Sequence, residues 1–235
     1  MMKTRLIGTA VIATLVVVGC GKKDASGDVE KTEAKTQQEC IQSIIGNMVA
    51  IPGKNFKMGK YEVTQAQWQA VMGENPSCYK DPDNPVERVS LYDCKMFLEK
   101  LNAMPEVRKN GLTFRLPTNE EWEYACRAGG TGDYCRLADG TEVTKDTLGK
   151  VAWFKDNSGE TNHPVGQKEP NAFGLYDIHG NVCEWCKERT SEFACRGGSR
   201  LEESKFCTAV HRSFGCERPS ERCNDRGFRL VASQD

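Results

Sequence analysis

The segment from Pro170 to Cys186 constrains the fold more than any other part of the chain. Its seventeen residues combine a turn-forming Pro-Asn pair, two glycines and a short apolar run. This pattern predicts a short strand that leads into a tight loop. Near its end, the Asn181 and Glu184 side chains and the Val182 carbonyl supply oxygen atoms at closely spaced positions, which suits a hard cation. The alternative is that Asn181 organises a turn and Glu184 faces solvent.

The first twenty residues are predicted to be a bacterial lipoprotein signal. Lys3 and Arg5 precede an apolar run, residues 6–18, which is too short to cross a membrane as a helix. Small residues then precede Cys20, so we expect removal of residues 1–19 and lipidation of Cys20. The protein is therefore expected at the cell envelope, at the outer membrane or the surface. An ordinary signal peptide or an uncleaved anchor is the alternative.

The remaining chain divides into a tether and one domain. Residues 20–40 lack aromatic side chains and carry few apolar ones, so they cannot bury enough surface to offset the entropy of ordering. Residues 41–235 are long enough for a single domain with a sizeable core. The formal net charge of −1, without a basic block, argues against nucleic acid as a partner.

Cysteine usage is high, with twelve in the chain and an odd number after Cys20. In an exported protein this predicts several disulfides and at least one unpaired thiol. An anaerobic habitat, in which the thiols stay reduced, is the alternative. Cys183 and Cys186 have the spacing of a redox dithiol, but they lack the strand-to-helix context of that motif, so a structural role is favoured.

The local pattern predicts an α+β domain. Residues 48–59 read as two strands around a Pro-Gly turn. Thr64, Ser90 and Thr118 are predicted to cap helices, the last two with an acidic residue three positions later. Beyond residue 130, glycines, turns and short apolar runs dominate. We therefore expect few helices, short antiparallel strands and much ordered loop.

Seven segments resemble, in order, the landmarks of the formylglycine-generating-enzyme (sulfatase-modifying factor) domain family. They are Met48–Gly53, Lys60–Thr64, Asn84–Ser90, Arg115–Ala125, Pro170–Cys186, Arg196–Ser199 and Gly227–Leu230. The resemblance implies a C-type-lectin-like fold for almost the whole domain. It also implies structural calcium at the family positions that correspond to Asn181, Val182 and Glu184.

The sequence departs from the family at the catalytic metal site. Oxidase members bind copper(I) with two cysteine thiolates, and counting from Gly-Gly-Ser places Cys207 at the second position and Glu202 at the first. A carboxylate is a hard, poor ligand for copper(I). This favours a catalytically degenerate domain. The alternative is a copper- and oxygen-dependent formylglycine-generating oxidase that uses Cys207 on a client sulfatase.

The segment between the last two landmarks corresponds to the part of the family fold that lines a ligand groove. Its arginines could bind a carboxylate or phosphate through two parallel hydrogen bonds, or form local pairs on a solvated loop. The predicted ligand is a peptide, a glycan or another protein. The predicted groove residues are Arg200, Glu202, Arg212, Arg218, Arg222 and Arg226.

Overall fold

The computed structural model describes residues 37–187, 193–213 and 218–234. The predicted signal peptide, Cys20 and the tether up to residue 36 lie outside these residues. Regular structure begins with a helix over residues 37–46, α1, which buries Ile41 and Ile44 in the main core. The last residues of the predicted tether therefore belong to α1.

Three of the four α-helices described after α1 begin at the predicted capping residues, and the fourth, which begins at Pro105, has no side-chain cap. The side chains of Thr64, Ser90 and Thr118 each accept the backbone N–H three residues on, and the side chain at that position bonds back to the cap. Each such cap contributes about 1 kcal/mol. The helices are α2 (Gln65–Met72), α3 (Leu91–Ala103), α4 (Pro105–Lys109) and α5 (Asn119–Arg127).

Short strands form two four-stranded sheets and one separate pair. The first sheet has the order β1-β2-β10-β3, the second has the order β8-β7-β6-β9, and β4 pairs with β5. The strands are β1 (Met48–Ala50), β2 (Lys57–Gly59), β3 (Leu112–Arg115), β4 (Ala152–Trp153), β5 (His179–Gly180), β6 (Cys183–Lys187), β7 (Phe193–Arg196), β8 (Arg212–Ser213), β9 (Arg226–Gly227) and β10 (Val231–Gln234).

Most strand pairs are antiparallel, as predicted, but two are parallel. The hairpin of β1 and β2 is confirmed, and β10 inserts between β2 and β3. The pairs β4–β5 and β6–β9 run parallel. Parallel partners need long crossover connections. Between β4 and β5 the connection, residues 154–178, contains no regular helix or strand.

An aromatic cluster joins the helices to the C-terminal segment. The Trp68 and Phe97 rings are stacked with their centroids 5.3 Å apart, and the edge of Phe228 meets Phe97 at the same centroid distance. Trp185 of β6 is fully buried in the main core, and Trp122 of α5 is fully buried in a second apolar cluster. No helix in the described ranges has the length and apolar character needed to cross a bilayer.

Candidate functional site

Glu184 and Arg229 form a fully buried ion pair at the centre of the loop region. Arg229 Nη2 lies 2.8 Å from Glu184 Oε1, with side-chain exposures of 0% and 1%. Trp122 Nε1–H donates to Glu184 Oε2 at 2.7 Å. The pair therefore joins α5, β6 and the C-terminal segment. Arg229 also donates to the carbonyl oxygens of Gly59, Lys60 and Tyr176.

A second buried carboxylate, that of Glu62, holds the turn that precedes β6. It accepts hydrogen bonds from Asn181 Nδ2 at 2.8 Å and from Val182 N–H at 3.0 Å. Asn181 Oδ1 accepts the His163 N–H at 3.2 Å. Asn181 has a φ of 54°, in the left-handed region that Asn tolerates better than most residues. Asn181 thus organises this turn from both ends of its amide.

The side-chain oxygen atoms of Asn181 and Glu184 that the sequence assigned to calcium are already bonded within the protein. Both carboxylate oxygens of Glu184 lie within 3.2 Å of Arg229 Nε, so the guanidinium neutralises the charge that would attract a cation. Across the described ranges, no group of three or more His, Cys, Asp or Glu side chains is arranged to hold a metal ion. In this arrangement the side chains of Asn181 and Glu184 do not fit a calcium ion.

Three carboxyl groups share this region with one guanidinium. Glu62, Asp177, Glu184 and Arg229 are all at most 2% exposed. Burial raises the pKa of Asp177 from 3.8 to about 6, and the nearby Glu184 carboxylate adds to that rise. Burial likewise raises the pKa of Glu62 well above its ordinary value. The fold therefore favours keeping protons on this cluster.

A surface groove of about 350 Å³ lies between Lys155, the segment of residues 201–206 and the segment of residues 211–213. Its apolar part includes Leu201, which is 38% exposed, and the adjacent Val210 is 50% exposed. The groove therefore combines apolar surface with charged side chains, as ligand pockets do. We call this feature the 201–213 groove. It is lined by Lys155, Leu201, Glu202, Glu203, Phe206, His211, Arg212 and Ser213.

Arg196, which is fully buried, fixes one wall of the 201–213 groove. Its Nη2 also lies 2.9 Å from a Glu123 carboxylate oxygen, and its guanidinium carbon lies 5.1 Å from the centre of the Trp122 ring. A core residue thus sets the backbone position of the groove wall. The guanidinium donates to the carbonyl oxygens of Ala209, Val210 and His211.

Cys207 lies beneath the 201–213 groove and has no exposed surface. Burial raises the pKa of its thiol well above the ordinary value, and the adjacent Glu202 carboxylate raises it further. Burial also raises the pKa of Glu202, whose Oε2 has no hydrogen-bond partner among the described residues. Copper(I) requires soft thiolate ligands. A buried protonated thiol and a carboxyl group do not fit that ion.

The six predicted groove residues do not converge on one site. Glu202 and Arg212 line the 201–213 groove. Arg200 is fully buried instead, and its guanidinium donates to the carbonyl oxygens of Glu160 and Asn224. A buried arginine whose Nε and Nη1 groups already donate to the backbone is not placed to bind a ligand at the surface.

The other three arginines lie on the segment after residue 217. Arg222 forms a bidentate pair with Asp93 at the first turn of α3, with distances of 2.6 and 2.7 Å. Arg226 contacts Glu221 at 3.4 Å, and Arg218 is exposed. These contacts match the local Arg–acid pairing that the sequence offered as an alternative to ligand binding.

Cys183 and Cys186 face opposite sides of β6. Side chains alternate along a strand, so residues three positions apart point in opposite directions. Cys183 packs with Trp185 in one core cluster, and Cys186 packs with Trp122 in another. They do not form a dithiol. No disulfide is defined among the cysteines of the described ranges, so the disulfides expected from the sequence stay a prediction.

His179 is a buried polar residue that the sequence interpretation missed. Burial lowers its pKa to about 4, so the imidazole is neutral near pH 7. Its Nε2 accepts the Cys135 N–H at 3.1 Å and lies 3.6 Å from Cys126 Sγ, and the ring also bonds to the Cys207 backbone. The available signal was one histidine inside the apolar part of the 170–186 segment.

Comparison with known proteins identifies the family. Residues 12–234 match the family model of the sulfatase-modifying factor enzyme 1-like domain. The chain belongs to this family, as its motifs predicted. The solved structure of Treponema denticola variable protein 1 is 28% identical, with a TM-score of 0.65, and the match covers 80% of this chain and 91% of that one. The formylglycine-generating-enzyme-like fold is thereby confirmed.

The relatives of this chain are named for different functions. "Chaperone protein LppX" of Paenibacillus barcinonensis is 34% identical over 57% of this chain and 62% of that protein. The formylglycine-generating enzyme of Streptomyces coelicolor is 31% identical over 74% and 60%. "Inactive C-alpha-formylglycine-generating enzyme 2" of Mus musculus is 37% identical over 73% and 56%. The chain spans about three fifths of the length of these relatives.

The raised pKa of Asp177 predicts that this carboxyl destabilises the fold at neutral pH. A folded-state pKa of about 6 against an ordinary 3.8 means that its stabilising contribution is complete below pH 4 and lost as the pH rises through 6. The shift corresponds to about 3 kcal/mol. Asp177→Asn should keep the acceptor for Gly166 N–H and raise the free energy of unfolding at pH 8 by about that amount.

The measurement is urea unfolding of both proteins from pH 4 to 8, with a chelator present. The variant's advantage should be small at pH 4 and should grow up to pH 6. Asp139→Asn is the matched control, since Asp139 also accepts a backbone N–H, from Thr141, but is exposed. An advantage that is the same at every pH would contradict the assignment.

Proposed function

We propose that this chain is a non-oxidase member of its family, a lipid-anchored cell-envelope protein that binds a peptide in the 201–213 groove. The observation that carries the proposal is the chemistry beneath that groove. Glu202 stands at the position of the first copper thiolate, and Cys207 is a buried thiol with a raised pKa. The domain keeps the family frame without the ligands that copper(I) requires.

Binding of a peptide is supported by the composition of the groove. Leu201 and Phe206 offer an apolar surface, while Lys155 and Arg212 add positive charge at its edges. Mixed apolar and charged linings of this kind fix one anchor side chain and orient the rest of a ligand. The relative named as a chaperone and the relative named as inactive are consistent with a binding role.

Loss of the oxidase is tested with copper(I) and a Cys-x-Pro-x-Arg peptide. We expect the full chain to retain no copper(I) and to form no formylglycine, as read by mass spectrometry, because Glu202 and Cys207 do not supply two thiolates. Glu202→Cys, which supplies a second thiol at this site, should give copper(I) retention that the natural chain lacks. Glu203→Cys, at the exposed neighbouring position, is the matched control. Formylglycine formation by the natural chain, abolished in Cys207→Ala, would replace this proposal with the oxidase.

Peptide binding is tested by panning a displayed peptide library against the full chain. Phe206→Asp should reduce capture of the enriched peptides at least tenfold, because it places a charge on the apolar part of the groove. Tyr92→Asp is the control, since Tyr92 is 53% exposed on α3 and does not line the groove. Equal capture by wild type and Phe206→Asp would remove the groove as the binding site.

Lipid anchoring rests on the sequence around Cys20, which lies outside the described residues. In a bacterial host, the full chain should enter the membrane fraction and incorporate labelled palmitate. Cys20→Ser should abolish both, because the serine hydroxyl does not replace the modified thiol. Membrane association that persists without label would point to an uncleaved anchor instead.

A further inference from the structure

One ring nitrogen of His179 contacts both Cys126, through its thiol, and Cys135, through its backbone N–H. Cys126, at the end of α5, places its Sγ 3.6 Å from His179 Nε2, and the backbone N–H of Cys135 donates to the same nitrogen at 3.1 Å. All three residues are fully buried. The imidazole therefore bridges the Cys126 thiol and the backbone of Cys135 inside the fold.

The loop between the two cysteines is closed by its backbone. The carbonyl of Arg127 accepts the N–H of Arg136 at 3.1 Å, so the residues that follow each cysteine are hydrogen-bonded to one another. The pKa of the Cys126 thiol is raised by burial, and the neighbouring Cys135 adds to that rise. Cys126 and Cys135 are therefore neighbours in the fold, as the partners of a disulfide must be.

We propose that Cys126 and Cys135 form an intramolecular disulfide when the chain folds under oxidising conditions. The two thiols exchange with a disulfide RSSR, supplied by a thiol oxidoreductase or a small molecule. One Cys126–Cys135 S–S bond forms, the RSSR bond breaks, and two RSH molecules leave with both protons. Because both cysteines are buried in the folded chain, the exchange takes place before the loop packs.

The bond would fix a segment that supports the 201–213 groove. The carbonyl of Asp133 accepts the Ala209 N–H at 2.7 Å, and the Tyr134 hydroxyl donates to the Ser204 carbonyl at 3.1 Å. The loop from residue 127 to 136 thus lies directly behind the groove. Formation of this disulfide does not depend on the proposed peptide ligand, because it involves only the two thiols.

Trypsin separates the two cysteines cleanly. Cleavage after Arg115, Arg127 and Arg136 gives the peptides 116–127 and 128–136, each with one cysteine. The full chain is unfolded, reduced, refolded with oxidised glutathione, alkylated under denaturing conditions and digested without reductant. We expect these two peptides as one linked species, two hydrogen masses lighter than their sum. Recovery of both as separate alkylated peptides, or linked elsewhere, would overturn the proposal.

Two variants and a melting measurement make the test specific. Cys135→Ala should abolish the linked species and leave Cys126 alkylated. Cys94→Ala, a substitution at another fully buried cysteine, is the matched control and should leave the linked species intact. The oxidised protein should melt at a higher temperature than the reduced one, because the bond restricts the unfolded loop. That difference should vanish in Cys135→Ala and persist in Cys94→Ala; its persistence in Cys135→Ala would assign the effect to other thiols.

Discussion

The buried ion pair of Glu184 and Arg229 is the interaction on which the loop-rich half of the molecule depends. Loops have no repeating backbone pattern to satisfy their carbonyl groups, so a buried guanidinium with five N–H donors serves several of them at once. Arg229 binds carbonyls from three chain positions as well as Glu184. Removing either partner would leave an uncompensated buried charge, which costs about 3–5 kcal/mol.

Local features of the fold could be predicted because their causes lie within a few residues. The helix caps at Thr64, Ser90 and Thr118 bond to groups three positions away, and the β1–β2 hairpin closes on its own turn. The parallel pairs β4–β5 and β6–β9 could not be predicted this way. Their partners are distant in sequence, and the strands that pair are only two residues long at one or both sides.

The candidate site was harder to predict because its charged residues have distant partners. Asn181 bonds Glu62 across 119 positions, and Arg222 bonds Asp93 across 129. The sequence does not show which distant residues pair in the fold. It therefore predicts that Glu184 is a cation ligand and that Arg200 is a surface group. In the fold, Arg229 neutralises the charge of Glu184, and Arg200 donates hydrogen bonds to backbone carbonyls. Both residues are buried. Glu202 and Arg212 do line the 201–213 groove, Glu202 from the loop after β7 and Arg212 from the start of β8.

The frame and the chemistry of this domain are physically separate, and this bears on how the family carries different functions. The groove wall is positioned from within the core by Arg196, and the loops by Arg229, and neither contact involves Glu202. A change from thiol to carboxylate at position 202 would therefore remove a soft metal ligand without changing the contacts that position the groove backbone. Relatives named as formylglycine-generating enzymes and as inactive forms can thus share one backbone.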